Sequence, residues 1–378
     1  TEEQAFEKLA AIADVFLVHN RKILRHVDDS ITRIINGREM MMRRARGYAP
    51  LPLVMEGING TVLAAGPHLK NTIAVNRGSN VFVSQHIGDL ENIESINAFK
   101  NVVSDLTAFY ELKPDRVICD MHPDYISTRY AEGIKEKDQS VQIHKVQHHY
   151  AHVLSCMAES GLEGEVLGVS WDGTGYGTDG TIWGGEFLLS NGAEFRRAAH
   201  LAAFRLPGGE QAIHDVWKTG YSLLYSVFGK DCDNLPNIEF LKNTAQTRLI
   251  RQMLEKDINS PVTTSAGRLF DGAAAIAGIR NKATFEAQAA MEFEFAAESY
   301  SDELKTNDYF TFETVKNSNG VYEISWSNII RSLAAGVESG ESKGLLALKF
   351  HNSMAEMIVN TAKLLKINRV VLTGGCFL

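Results

Sequence analysis

One order of elements occurs twice along this chain, and it constrains the fold more than any other feature. Short apolar segments at 53–55, 61–63 and 80–83 are separated by Gly and Asn, as strands with tight turns require. Residues 93–110 then carry Ile96, Phe99, Val102, Val103, Leu106 and Phe109, the spacing of an amphipathic helix. Residues 116–119 and 141–146 predict two further strands, and a helix follows through Ala151, Val153, Leu154 and Met157. The order then starts again. Segments 166–171, 182–189 and 195–203 read as strands and 212–297 as mainly helical. Residues 321–326 read as a strand, 345–365 as a long amphipathic helix and 369–372 as a final strand. Three strands, helices and more strands, twice over, predict an α/β protein of two similar lobes with a cleft between them, at 51–160 and 161–378. No residue-level repeat accompanies the order.

Bulk properties narrow the class. A chain of 378 residues is too long for one ordinary core. Lysine plus arginine is 38 and aspartate plus glutamate 46, a net charge of 38 − 46 = −8. That sign is wrong for a general nucleic-acid binder, whose phosphate contacts need a basic field. No apolar run reaches the ~18 residues of a membrane span. The opening TEEQAFEKLA is acidic and amphipathic, unlike a signal peptide. Cys119, Cys156, Cys232 and Cys376 lie far apart with no CxxC pair, against a zinc knuckle or a disulfide scaffold. A cytoplasmic location is expected. The first 50 residues differ from the rest: Arg38, Arg43, Arg44 and Arg46 cluster just before Pro50 and Pro52, which mark a domain boundary. The cluster is either a solvated face or an anion-binding edge.

Three motifs carry chemistry. In Gln147-His-His-Tyr-Ala-His152, His148 and His152 are four apart, so a helix places both imidazoles on one face, able to chelate one divalent ion. In Ser170-Trp-Asp-Gly-Thr-Gly-Tyr-Gly-Thr-Asp-Gly180, Gly173, Gly175 and Gly177 are expected to free the backbone for positive φ. With Thr174 they would form an N–H cradle for an anion, and Asp172 at the strand end could meet a metal. The spacing fits neither a dinucleotide fingerprint nor a Walker loop. Gly374 and Gly375 follow the last strand, where a nucleotide can lie across the backbone. Gly208 and Gly209 are a weaker pair of the same kind. Asp271 near the start of an Ala-rich helix suits a cap or a ribose contact. Glu286 joins the nucleotide-binding candidates, although solvated glutamates are as ordinary there. Asp120, His122 and Asp124 follow a strand end, where carboxylates serve either function or turns. Cys376 reads as buried filler, and no nucleophilic triad stands out.

Together these motifs resemble the HypF-type carbamoyltransferases of [NiFe] hydrogenase maturation. The resemblance rests on Asp172-Gly-Thr-Gly-Tyr-Gly177 with a following Gly-Gly-Glu-Phe, His148-His-Tyr-Ala-His152 and Cys119-Asp-Met-His-Pro-Asp-Tyr125. It rests also on Leu69-Lys-Asn-Thr72, Ser84-Gln-His-Ile-Gly-Asp-Leu90, Phe204-Arg-Leu-Pro-Gly-Gly209 and Arg46-Gly-Tyr-Ala-Pro50. It implies an actin/Hsp70/sugar-kinase-type (ASKHA) fold, with residues 1–50 as the tail of a YrdC-like domain. It implies a metal ion, iron or zinc, on His148, His152 and Asp172, with magnesium accompanying ATP. The implied reaction takes carbamoyl phosphate and ATP through carbamoyl adenylate and delivers the carbamoyl group to the C-terminal cysteine of HypE. That group is on the way to a cyanide ligand of the hydrogenase iron. The acylphosphatase and zinc domains of the family, and a final metal-binding aspartate, have no counterpart here. The chain is therefore expected to be a C-terminal fragment itself cut short, unable alone to make the adenylate. A sugar-kinase-like phosphotransferase and a non-catalytic nucleotide-binding scaffold are the rival readings.

Overall fold

The computed structural model describes residues 2–21, 27–304 and 308–377. Helix α1 (Glu2–Leu9) and the hairpin β1 (Ile31–Ile35) and β2 (Arg38–Arg43) come first. The arginine cluster near this hairpin is mostly tied down rather than free. Arg44 donates to the carbonyls of Val83 and Leu51, and Arg46 pairs with Asp29.

The first sheet uses β3 (Pro52–Val54), β4 (Val62–Ala64), β5 (Ala74–Arg77), β6 (Asn80–Val83), β7 (Arg116–Asp120) and β8 (Gln142–Val146). Their order is β3-β6-β5-β4-β7-β8, antiparallel through β4 and parallel beyond it. Helices α2 (Ile93–Phe109) and α3 (Ile126–Lys137) complete this lobe, and Phe99, Val102, Val103 and Leu106 of α2 are buried in its core.

Helix α4 (His148–Glu159) is followed by β9 (Val166–Tyr176), β10 (Ile182–Ser190), β11 (Phe195–Leu201) and β12 (Phe204–Arg205). Then come α5 (Gln211–His214), α6 (Val216–Phe228), α7 (Thr244–Glu255), β13 (Val262–Thr263), α8 (Ala266–Ile276) and α9 (Gln288–Leu304). The last elements are β14 (Glu313–Lys316), β15 (Tyr322–Ser325), α10 (Ser327–Glu338), α11 (Lys343–Leu365) and β16 (Val370–Thr373). In the second sheet β11, β10, β9 and β16 are neighbours in that order. The first sheet places β6, β5, β4 and β7 in the same way. In each lobe three antiparallel strands are followed by a fourth parallel to the first, so the duplication seen in element order is real in topology. This is the two-lobed ASKHA arrangement.

The larger core lies between the second sheet and helices α6, α8, α10 and α11. Phe187, Leu201, Leu223 and Phe350 are fully buried there. At about 1.5–3 kcal/mol per buried large apolar side chain, this layer holds the lobe rigid. Helix α4 closes the first stretch of sequence, yet it packs on the second sheet: its stripe of His149, Val153 and Met157 is buried with Trp183, Leu188 and Val371. Gly168 makes that approach feasible, since a Cβ there would lie 2.2 Å from a Val153 methyl. Strands β1, β2, β5, β12, β13 and β14 were not visible as apolar segments. The four cysteines are free thiols. No helix among the described residues is long and apolar enough to cross a membrane.

Candidate metal centre

Strand β8 ends at Val146, and Gln147 caps α4 by accepting the Tyr150 N–H at 2.8 Å. That bond satisfies one of the N–H groups a helix start leaves unpaired and fixes where the helix begins. His148 is thus the first helical residue and His152 lies one turn on. Their rings meet edge to face with centroids 4.9 Å apart.

Asp172 arrives from the second sheet. The register of β9 with β10 runs Trp171↔Gly185 and then Gly175↔Trp183, so Asp172, Gly173 and Thr174 oppose Gly184 alone. This bulge turns the aspartate out of the ladder toward α4. Helix α8 pins the bulge. Ser265 caps α8 by accepting the Arg268 N–H, and its hydroxyl meets the carbonyls of Asp172 and Gly173 at 2.9 and 2.8 Å. Asp172 Oδ2 then stands 3.3 Å from His148 Nε2 and 3.2 Å from His152 Nε2, and the three ligand atoms lie within 4.8 Å of one another. Donors around one tetrahedral ion at about 2.1 Å are separated by about 3.4 Å, so this corner fits a single cation. Two imidazoles and a carboxylate suit a borderline divalent transition metal.

Electrostatics support the same corner. Burial works against the charge on His148, but hydrogen bonds to Asp120 and Asp172 outweigh it and raise the imidazole to about 9. Burial likewise opposes ionisation of Asp172, yet the two histidines hold its carboxyl well below the usual range. An ion would replace that bound proton, so its affinity should rise as pH climbs toward 9. His149 plays another part. Fully buried, it is pushed far down by desolvation and stays a neutral packing group. Asp120 touches His148 Nδ1 at 2.9 Å. Its strand-end position had been compatible with function, but nothing local in the sequence pointed to that contact. The rings of His122 and Tyr125 stack beside it, 4.1 Å apart.

The glycine stretch differs from its expectation. Residues 172–176 belong to a strand, and of Gly173, Gly175, Gly177 and Gly180 only Gly180 has positive φ. The glycines serve close approach rather than backbone freedom. A Cβ on Gly175 would lie 2.4 Å from His149 Cε1, and one on Gly177 would lie 2.3 Å from the Trp183 indole nitrogen. An N–H nest over 173–177 is not formed, because Gly175 is paired in the ladder and the Gly173 N–H is taken by Asp172 Oδ1. Gly374, at φ +96°, fits against the Trp171 backbone, and Gly375 stands beside Asp172 Oδ1.

The remaining candidates lie on separate elements. Gly208 and Gly209 form a positive-φ turn before α5. Asp271 does not cap α8, since Ser265 does. It is buried in mid-helix, 3.1 Å from Arg268, and desolvation raises its carboxyl to about 6. Glu286 is half exposed and pairs across the lobes with Lys70 at 2.9 Å. Cys376 is only partly buried against the larger core, and desolvation pushes its thiol up.

A two-lobed ASKHA fold with a two-histidine, one-aspartate corner where its lobes meet defines a Kae1-like protein. The family model "HypF Kae1-like domain" matches residues 58–159, and "Carbamoyltransferase, Kae1-like Domain, second subdomain" matches residues 168–378. The chain belongs to the HypF carbamoyltransferase family. It is 40% identical to carbamoyltransferase HypF of Synechocystis sp. over 99% of its own length and 49% of that protein's. It is 33% identical to a carbamoyltransferase HypF homolog of Cupriavidus necator, over 84% of this chain and 81% of that one. A crystal structure of full-length HypF in its phosphate- and nucleotide-bound form superposes with a TM-score of 0.89 at 37% identity, over 100% of this chain and 58% of that one. T. kodakarensis HypF gives 0.84 at 31%, over 100% and 49%.

Proposed function

We propose that this chain carries the transfer half of a carbamoyltransferase acting in [NiFe] hydrogenase maturation. The acceptor would be the C-terminal cysteine thiolate of HypE, and the donor carbamoyl adenylate formed from carbamoyl phosphate and ATP. The observation that carries the reading is the convergence of His148, His152 and Asp172 at the lobe junction. A bound divalent ion would supply Lewis acidity there, with iron or zinc suited to the donor set. The chain's own residues have positional duties. Asp172, held by the bulge and by Ser265, keeps its carboxylate in the cleft. His148 and His152 keep their imidazoles on one helix face. Gly374 and Gly375 leave room beside Asp172, and Asp271, Glu286 and the Gly208–Gly209 turn are the candidates to contact a nucleotide. The thiolate would add to the carbonyl carbon, and AMP would leave with the bonding pair. No nucleophile on this chain is needed, in keeping with the raised Cys376 thiol.

Residues 1–50 are read as the tail of a YrdC-like domain, 51–160 and 161–378 as the two lobes, and the protein as cytoplasmic. A sugar-kinase-like phosphotransferase needs no paired histidines, so the corner favours the transferase. The test uses full-length HypF carrying this sequence, mixed with carbamoyl phosphate, ATP and HypE, followed by the mass of HypE. A gain of one carbamoyl group that is lost with Asp172→Ala supports the reading. An unchanged mass with the wild type favours a nucleotide-binding scaffold instead.

A further inference from the structure

Asp120 is the last residue of β7, and in the parallel pairing with β8 it stands opposite Val146. Two residues after Val146 comes His148. The register alone therefore delivers a carboxylate from the first sheet to the first ring of α4. Asp120 is 8% exposed, and both its oxygens are engaged. Oδ1 accepts the His122 N–H at 2.8 Å, and Oδ2 meets His148 Nδ1 at 2.9 Å. The Thr128 hydroxyl donates to its carbonyl at 3.1 Å, so the backbone is held as well. The carboxylate cannot turn away without losing a partner in a buried place. The opposite ring nitrogen, Nε2, faces Asp172. His152 is more exposed, and its Nε2 stands 3.2 Å from the same Asp172 carboxylate.

We infer that Asp120 is a positioning residue for the metal centre: it keeps the proton of His148 on Nδ1 and so presents the Nε2 lone pair to the ion. A carboxylate behind an imidazole fixes the tautomer, orients the ring and raises the basicity of the ligating nitrogen. His148 is then the anchored ligand and His152 the adjustable one. A first-lobe side chain thereby shapes a centre whose three donors all ride on elements packed on the second sheet. This rests on the metal reading proposed above.

The test is metal affinity, measured with zinc against a chromophoric chelator. Asp120→Ala is expected to weaken binding by about 10–100-fold, and Asp120→Asn, which keeps shape and loses charge, by about 10-fold. Asp124→Asn, in the same loop but exposed and paired with Arg129, should bind as the wild type does. A purely structural role for Asp120 would not move a second readout. Long-range proton–nitrogen NMR of the zinc-loaded protein should find His148 protonated at Nδ1, with that signature lost in Asp120→Ala. Should Asp120→Ala fail to fold, the Asn variant decides. Wild-type zinc binding with both folded variants unchanged would overturn the inference and leave the metal reading standing. A wild type that binds no zinc would overturn both.

Discussion

Strands β4 and β9, the first of each repeated four-strand unit, hold the same place in the fold and have opposite characters. Strand β4 is three residues long, lies between β5 and β7, and ends before Gly66, which turns at φ +69°. Strand β9 is eleven residues long, lies between β10 and β16, and bulges at Asp172. One frame was used twice, and only one copy was given extra strand length and a break in its ladder. The lesson is that topology supplies the cleft, whereas chemistry comes from a local departure from ideal pairing. A bulge frees one carboxylate, and glycines around it let two helices close in.

The contrast can be broken most severely at the bulge itself. Asp172→Ala removes the carboxylate that meets both histidines, and transition-metal affinity should fall at least about 100-fold by equilibrium dialysis. His148→Ala/His152→Ala should abolish measurable binding. Retained stoichiometric metal in either would mean that the corner is not a metal centre.

Next come the glycines, and here the two strands should separate. Gly175→Ala places a Cβ 2.4 Å from His149 and 3.1 Å from His148, while Gly66→Ala places one 2.0 Å from the Thr72 carbonyl oxygen. Each should lose about 1–3 kcal/mol in denaturant unfolding. Only Gly175→Ala should also loosen metal, because of these two strands only β9 reaches the ligands. Equal metal affinity in the two variants would erase the distinction.

A pH experiment sharpens it further. Burial raises Asp271 to about 6 in the folded state, against 3.8 for the free group. The folded state thus holds its proton more tightly, and stability present below about pH 4 is lost as pH rises through about 6. Asp271→Asn should flatten that slope in urea midpoints taken from pH 4 to 7, and a slope identical to the wild type's would refute the assignment. The smallest effect belongs to Lys70→Ala. Its pair with Glu286 is more than half exposed on both sides, so stability should change by no more than about 1 kcal/mol, and less in high salt.

Much of this was legible beforehand. Ile96, Phe99, Val102, Val103 and Leu106 announced α2, and the spacing of His148 and His152 announced a shared helix face, because helical period is a local property. Asp172 was recognisable as the acid after an apolar run, although the strand itself continues to Tyr176. The glycines misled: four in eight residues suggested positive φ, but a sequence cannot distinguish backbone freedom from the need for a missing side chain. Asp271 looked like a cap until Ser265 took that place, and Asp120 looked like any strand-end carboxylate.

From residue order alone came the α/β frame that occurs twice and the paired imidazoles, since each follows from periodicity within a few residues; that Asp172 joins them was what the family resemblance implied. Tertiary structure decided that α4 packs on the second sheet, that β9 bulges at Asp172, and that the register of β7 with β8 sets Asp120 behind His148. Those outcomes depend on pairings between residues tens of positions apart, and the free energy of such contacts exists only once the sheets have formed.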